Sequence, residues 1–184
     1  MRKDFGAKPL LVPQPVCIIA TYDENGVPNA MNAAWAGIAE ENQIIICLGP
    51  HKTTDNLERC PDFTVSVGTK EQVVACDFVG IVSGHKVPDK VARAGFTTTK
   101  APHVNAPIIN ELPLTLECKL LKILEDELYL AEIVNVSVEE NVLDEAGKLS
   151  YDKFHPIIFD AFGHNYYAIG EKAGNAFSDG VKLK

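Results

Sequence analysis

The sequence predicts a mainly β fold: an antiparallel sheet of six or seven strands, closed into a barrel and carrying a few short helices. Three observations lead there. Short apolar, β-branched segments recur along the chain, which is strand patterning. The links between most of them are too short for a parallel crossover, which needs a dozen or more residues. Only three segments carry helical cues, at residues 53–60, 71–78 and 88–94, and all are brief. Many strands with little helix favour closure of the sheet on itself. A chain of 184 residues can bury one sizeable core, so residues 1–184 are expected to form a single domain.

Residues 16–22 form the first apolar run, and Asp23-Glu24-Asn25-Gly26 follows it. Asn-Gly favours a tight turn because both residues tolerate positive φ. The chain resumes over 28–38, so the two segments read as a hairpin. A third strand spans 43–48 and is closed by Gly49-Pro50. The helix at 53–60 is expected to be capped by Asp55, with Glu58 three residues on, and Pro61 stops it. Residues 63–67 alternate as a fourth strand. Of the two further helices, the one at 88–94 has Pro88 near its start. Residues 113–124 and 128–138 make the longest strand pair, joined by Glu125-Asp126-Glu127. Another turn falls at 144–147. The tail is rich in aromatics, with Phe154, Phe159, Phe162, Tyr166, Tyr167 and Phe177.

Composition narrows the function. Apolar residues make up 46% of the chain and charged residues 23%, which is enough apolar surface to exclude disorder as the main state. The apolar runs fall far short of the ~20 residues of a membrane helix, and none of signal-peptide length precedes Pro9. A cytoplasmic protein is expected. The net charge of −8 argues against nucleic acid and membrane surfaces as partners. It leaves room for one small anionic ligand held by local positive potential. The five cysteines are odd in number and form no CxxC pair, so neither a disulfide framework nor a zinc site is expected. Four of them sit among apolar neighbours and read as inert buried thiols.

No GxGxxG, P-loop, GxSxG or HExxH is present, and no metal site is expected. Three stretches could together hold a phosphorylated ligand. In residues 29–35, small side chains let a flat ligand approach the backbone, and Asn32 offers donor and acceptor groups. The same stretch also reads as an ordinary strand with Trp35 in the core. His51-Lys52-Thr53-Thr54-Asp55-Asn56 joins a strand end to a helix start, where free N–H groups, two hydroxyls and an ammonium make an anion site. It also reads as a plain helix cap beside a surface lysine. In residues 83–90, Gly84 permits close backbone approach, and Lys86 and Lys90 add charge; the alternative is a solvated loop.

Taken in order, residues 15–21, the Asn-Gly turn, Asn32 to Trp35, Gly49-Pro50-His51-Lys52-Thr53-Thr54, Asn56, and Ser83-Gly84 with Lys90 resemble the flavin reductase-like, FMN-binding split-barrel family. The tail Tyr166-Tyr167-Ala168-Ile169-Gly170-Glu171 resembles its flavoredoxin-like subgroup. The resemblance covers roughly residues 10 to 180. It implies a six-stranded antiparallel Greek-key split barrel, a homodimer, and one non-covalent FMN per subunit near the dimer interface. By position, Asn32, Ala34 and Trp35 would line the flavin. Thr53, Thr54 and Asn56 would hold phosphate or ribityl oxygens. Ser83, Gly84 and Lys86 would close over the flavin, and Lys90 would add charge at the phosphate. Lys52 stands where many relatives have arginine; it keeps the charge but lacks the planar fork of a bidentate phosphate contact.

The chemistry would belong to the cofactor, so no catalytic side chain is nominated. Three functions are open. The first is an NAD(P)H-dependent flavin or ferric reductase. The second is a flavoredoxin-type electron carrier, its acidic surface suited to a basic redox protein. The third is a non-enzymatic split barrel that binds another planar ligand. The aromatic tail packs either on its own barrel or against a second copy.

Overall fold

The computed structural model describes the backbone of residues 1–184 and every side chain except that of Asp126. Seven strands form the main sheet: β2 (Cys17–Tyr22), β3 (Pro28–Ala33), β4 (Ala36–Glu40), β5 (Gln43–Cys47), β6 (Asp62–Val67), β9 (Leu114–Leu124) and β10 (Leu128–Val138). Their order is β3-β2-β6-β9-β10-β5-β4, antiparallel throughout. Two small sheets flank it. One pairs β7 (Thr98–Lys100) with β8 (Pro107–Ile109); the other orders β1 (Gln14–Pro15), β11 (Ile157–Asp160) and β12 (Asn165–Ala168) as β1-β11-β12.

The edges of the main sheet, β3 and β4, are consecutive in the chain and separated only by Ala34 and Trp35. Three Cα steps span at most about 11 Å, so the sheet must curl until its edges meet. The backbone is tied down on both sides of this seam. Ala33 is paired with Cys17 of β2, and the Cys47 N–H donates to the Trp35 carbonyl at 2.9 Å. The expected single strand at 28–38 is therefore two strands with different partners. That break raises the expected count of six to seven.

The β5-to-β6 connection crosses the mouth of the barrel through α1 (Lys52–Arg59), which makes the order Greek-key rather than up-and-down. The helix plugs that mouth because its inward positions sit at i, i+3 and i+4: Thr53, Asn56 and Leu57 are all buried. Leu57 joins the barrel interior with Ile19, Phe63, Val65 and Ala131. The opposite face of β2 and β3, with Ile18, Ala20 and Ala30, is covered by α2 (Val73–Ile81) and α3 (Lys90–Arg93) in a second core. Alternation along β3 thus sends Met31 into the barrel and leaves Asn32 on the side of α2.

The expected Asp55 cap is not formed. The His51 N–H donates to Thr54 Oγ1 at 2.8 Å, and that hydroxyl donates to the His51 carbonyl at 2.8 Å. Asp55 lies a position further into the helix, where its side chain cannot reach the first N–H groups. The turn after β2 depends on Asp23 as well as glycine: Asp23 Oδ1 accepts from the N–H groups of Asn25 and Val27, and only Gly26 takes positive φ there. The aromatic tail divides. Phe154, the last residue of α4 (Tyr151–Phe154), is buried, and Phe159 and Tyr166 pack on the second core, whereas Phe162, Tyr167 and Phe177 are exposed. Three cysteines, not four, are buried: Cys17, Cys76 and Cys118, with Cys47 and Cys60 partly exposed. Burial pushes the three thiols up to about 12, which leaves them un-ionised and inert. Among the described residues no helix is long and apolar enough to cross a membrane.

Candidate functional site

A groove runs beside the seam in two lobes that share Gly80 and Ile81 at the end of α2. The first lobe is a cavity of about 130 Å³ walled by Asn29, Lys52, Thr53, Ser83, Gly84 and Lys90. The second, about 190 Å³, is walled by Asn32, Ala34, Asp77, Phe159 and Tyr166. Either lobe is small for a whole ligand; together they reach the lower end of the roughly 300–1,000 Å³ of small-molecule sites.

Lys90 dominates the first lobe. It is only 3% exposed, yet no carboxylate lies within ion-pair distance of it among the described residues. Its ammonium donates to the carbonyls of Val79 (3.0 Å) and Val82 (2.8 Å), the orphan acceptors at the end of α2. Burial lowers its pKa from 10.5 to about 8. An ammonium has three donors, so one remains for a ligand. A buried cation without a counter-charge is costly, and an anion in this cavity would relieve that cost.

The backbone comes close here because Gly84 lacks a side chain. A Cβ on it would lie 2.3 Å from Asn29 Oδ1 and 3.1 Å from Lys52 Cβ. Asn29 donates through Nδ2 to Thr53 Oγ1 at 2.7 Å, while its Oδ1 is buried without a partner. The Thr53 hydroxyl can donate or accept. With the amide turned over, Asn29 Oδ1 accepts from Thr53 and Nδ2 becomes a further donor to the cavity. Lys52 is half-buried and pairs with Glu24 at 3.3 Å. Glu24 also pairs with Arg59, and its own backbone N–H, then Lys52, hold its carboxyl below the usual range.

The second lobe is built by residues distant in the chain. Asn32 Nδ2 donates to the Cys76 carbonyl at 3.1 Å and to Tyr166 Oη at 3.4 Å. The Tyr166 hydroxyl donates to Asp77 Oδ1 at 2.9 Å. Burial first, then this carboxylate, pushes the phenol up to about 12, so it keeps its proton. Gly80 lets α2 lie tight on β3; a Cβ there would sit 2.9 Å from that of Asn32.

Seven of the eleven expected residues therefore line the groove: Lys52, Thr53, Ser83, Gly84 and Lys90 in one lobe, Asn32 and Ala34 in the other. Four do not. The Thr54 hydroxyl is engaged in the helix cap. Asn56 is buried against the barrel and donates to Thr21 Oγ1 at 2.9 Å. Lys86 is exposed on the loop. Trp35, 54% exposed, faces instead a separate apolar groove of about 360 Å³ with Leu11, Ala36, Ile45 and Leu128. Asp77 and Gly80 were not anticipated, while Asn29 fell in the candidate stretch 29–35 and Tyr166 in the tail motif with no site role given to either. A glycine inside an otherwise helical run was the available sign of close packing at 80.

A curled antiparallel barrel, split along one seam and carrying a two-lobed groove beside it, defines a split-barrel protein. Residues 10–159 match the flavin reductase like domain, and the chain belongs to that family. It is similar to the flavoredoxin of Desulfovibrio vulgaris (Miyazaki F), at 36% identity and a TM-score of 0.94, over 98% of this chain and 100% of that one. The flavoredoxin of Methanosarcina acetivorans aligns at 25% identity and a TM-score of 0.89, over 100% of both chains. The FMN-binding domain of a flavin reductase-like enzyme from Shewanella baltica OS155 shares the fold, with a TM-score of 0.78, 22% identity, and 88% of this chain and 89% of that one covered.

Proposed function

We propose that the chain binds one FMN without a covalent bond and serves as a redox protein that exchanges electrons with protein partners. The observation that carries this reading is the buried, uncompensated Lys90 ammonium at the narrow end of a two-lobed groove. The residues fit the group. Lys90, Lys52, Thr53, Ser83 and the open backbone at Gly84 would hold the phosphate. Asn32, Ala34 and Gly80 would border the ring, where small residues leave its faces reachable. When bound, the flavin supplies hydride or single-electron acceptance; the chain binds, orients and shields it. Likeness to two flavoredoxins over nearly the whole chain supports the carrier reading, as does the net charge of −8, which would steer a basic partner.

The nicotinamide-dependent flavin reductase stands second, supported by family membership. A homodimer would cover the apolar groove beside Trp35, where Leu11 is also exposed. Titration of the purified chain with FMN, followed by flavin fluorescence, tests the cofactor; no binding at micromolar FMN would remove it. Stopped-flow mixing with NADH and NADPH then separates the roles. Slow bleaching by both, with salt-sensitive electron transfer from a redox protein, is expected of a carrier. Fast bleaching by either would make the chain a reductase.

A further inference from the structure

The two lobes carry opposite charge. Lys90 and Lys52 stand at one end, and the Asp77 carboxylate lines the other. Asp77 has no cation within ion-pair distance among the described residues. Among the described residues its one side-chain hydrogen bond comes from the Tyr166 hydroxyl, which gives it a proton to share and no charge to offset it. Tyr166 reaches the cavity from β12 and Asp77 from α2, so two separate elements converge to hold a carboxylate at the ring end of the groove. A carboxylate that serves only to fix a phenol is an expensive choice there, because an amide would accept the same hydrogen bond without a charge.

We propose that Asp77, with its orientation held by Tyr166, lowers the reduction potential of the ring bound in the second lobe. The inference rests on the FMN reading above. Two-electron reduction at neutral pH takes up two electrons and one proton, so the ring gains one net negative charge. A fixed carboxylate in the wall of the same cavity repels that charge and leaves the neutral oxidised ring untouched. Low dielectric and limited water strengthen the effect relative to bulk solvent. The cation at the other end is offset by the phosphate, which is present in both redox states, so it does not cancel the difference. The chain is thereby biased towards giving electrons away. Tyr166 is the positioning residue: it keeps the carboxylate on the cavity side of α2.

The test is the midpoint potential of FMN-loaded protein, read by spectroelectrochemistry in three forms. Asp77→Asn keeps an acceptor for the phenol but removes the charge. Tyr166→Phe removes the hydrogen bond but keeps the charge. Asp77→Asn is expected to raise affinity for reduced over oxidised FMN at least tenfold, which is about 30 mV for a two-electron couple. Tyr166→Phe is expected to raise it by less than half of that in mV. Should Asp77→Asn fail to fold, Asp77→Ser is expected to shift the potential with the same sign. An unmoved potential in the charge-free variant overturns the assignment, as does an equal rise in both, which would mark a purely structural latch. If the wild-type chain takes up no FMN, the cofactor reading falls, and this assignment with it; that failure is seen in the binding titration before any potential is measured.

Discussion

The two ends of the groove solve different problems. The Lys90 end is narrow, cationic and built where β3 meets the ends of α1, α2 and α3, with Lys90 anchored on main-chain carbonyls and Lys52 packed against Gly84. The Asp77 end is wider and walled by aromatic and small side chains, with one acidic hydrogen-bonded pair. On the FMN reading, the contrast would let a strongly acidic protein hold an anion. A small cationic cavity is set apart from the rest of its surface, and negative charge returns where the proposed ring would lie.

The sharpest way to break that contrast is Lys90→Gln. A hydrogen bond to a charged group contributes about 1.5–3 kcal/mol, so FMN affinity should fall roughly 10- to 150-fold. Riboflavin, which lacks the phosphate, should lose little. Equal losses for both ligands in a fluorescence titration would mean that the ends are not separate. Gly84→Ala comes next. Its methyl would press on Asn29 and Lys52, and overpacking of this kind costs about 1–3 kcal/mol; the same pair of titrations should show FMN weakened roughly 5- to 150-fold.

Acidity gives a smaller lever. The Lys90 pKa is lowered to about 8 in the ligand-free chain. FMN affinity should therefore fall as pH rises past 8, because the amine loses the charge that the phosphate meets. Stability of the empty protein should move the other way. Between pH 8 and 10.5 the unfolded chain carries a proton on Lys90 that the folded chain lacks, so this group makes folding more favourable as pH rises through that window. Denaturation curves set against Lys90→Met, which lacks the titrating group, isolate the effect; a parallel pH course for the two would contradict it. Smallest at the site is Thr54→Ala. Loss of a cap costs about 0.5–2 kcal/mol, read as a lower denaturation midpoint with FMN affinity changed less than about threefold. A large loss of affinity would return Thr54 to the ligand.

The legible parts of this molecule are those settled by neighbours in sequence. The strand end at His51-Lys52-Thr53 and the Ser83-Gly84 turn could be read as an anion cradle because close spacing in sequence keeps their groups together. Asn32 was legible, but its meeting with Asp77 and Tyr166 was not, since Asn32 and Tyr166 are 134 residues apart and meet only after α2 packs on β3 and the β11–β12 hairpin folds back. Thr54 and Asn56 were expected to hold phosphate or ribityl oxygens from their place in the family resemblance. Here the helix closes a barrel, so its hydroxyl and amide serve the cap and Thr21 instead. The break between β3 and β4 carries no glycine or proline. Closure of the sheet imposes it, and single-segment patterning holds no trace of closure.

That break at Ala34 and Trp35 also works as a gauge. Its length sets how far apart the two rims of the barrel can stand. A longer connector would let the rims part and admit water to the interior, while a shorter one would drag β4 out of step with β5 and turn its side chains inside out. The spacing of the two barrel rims is thus measured by two residues of main chain.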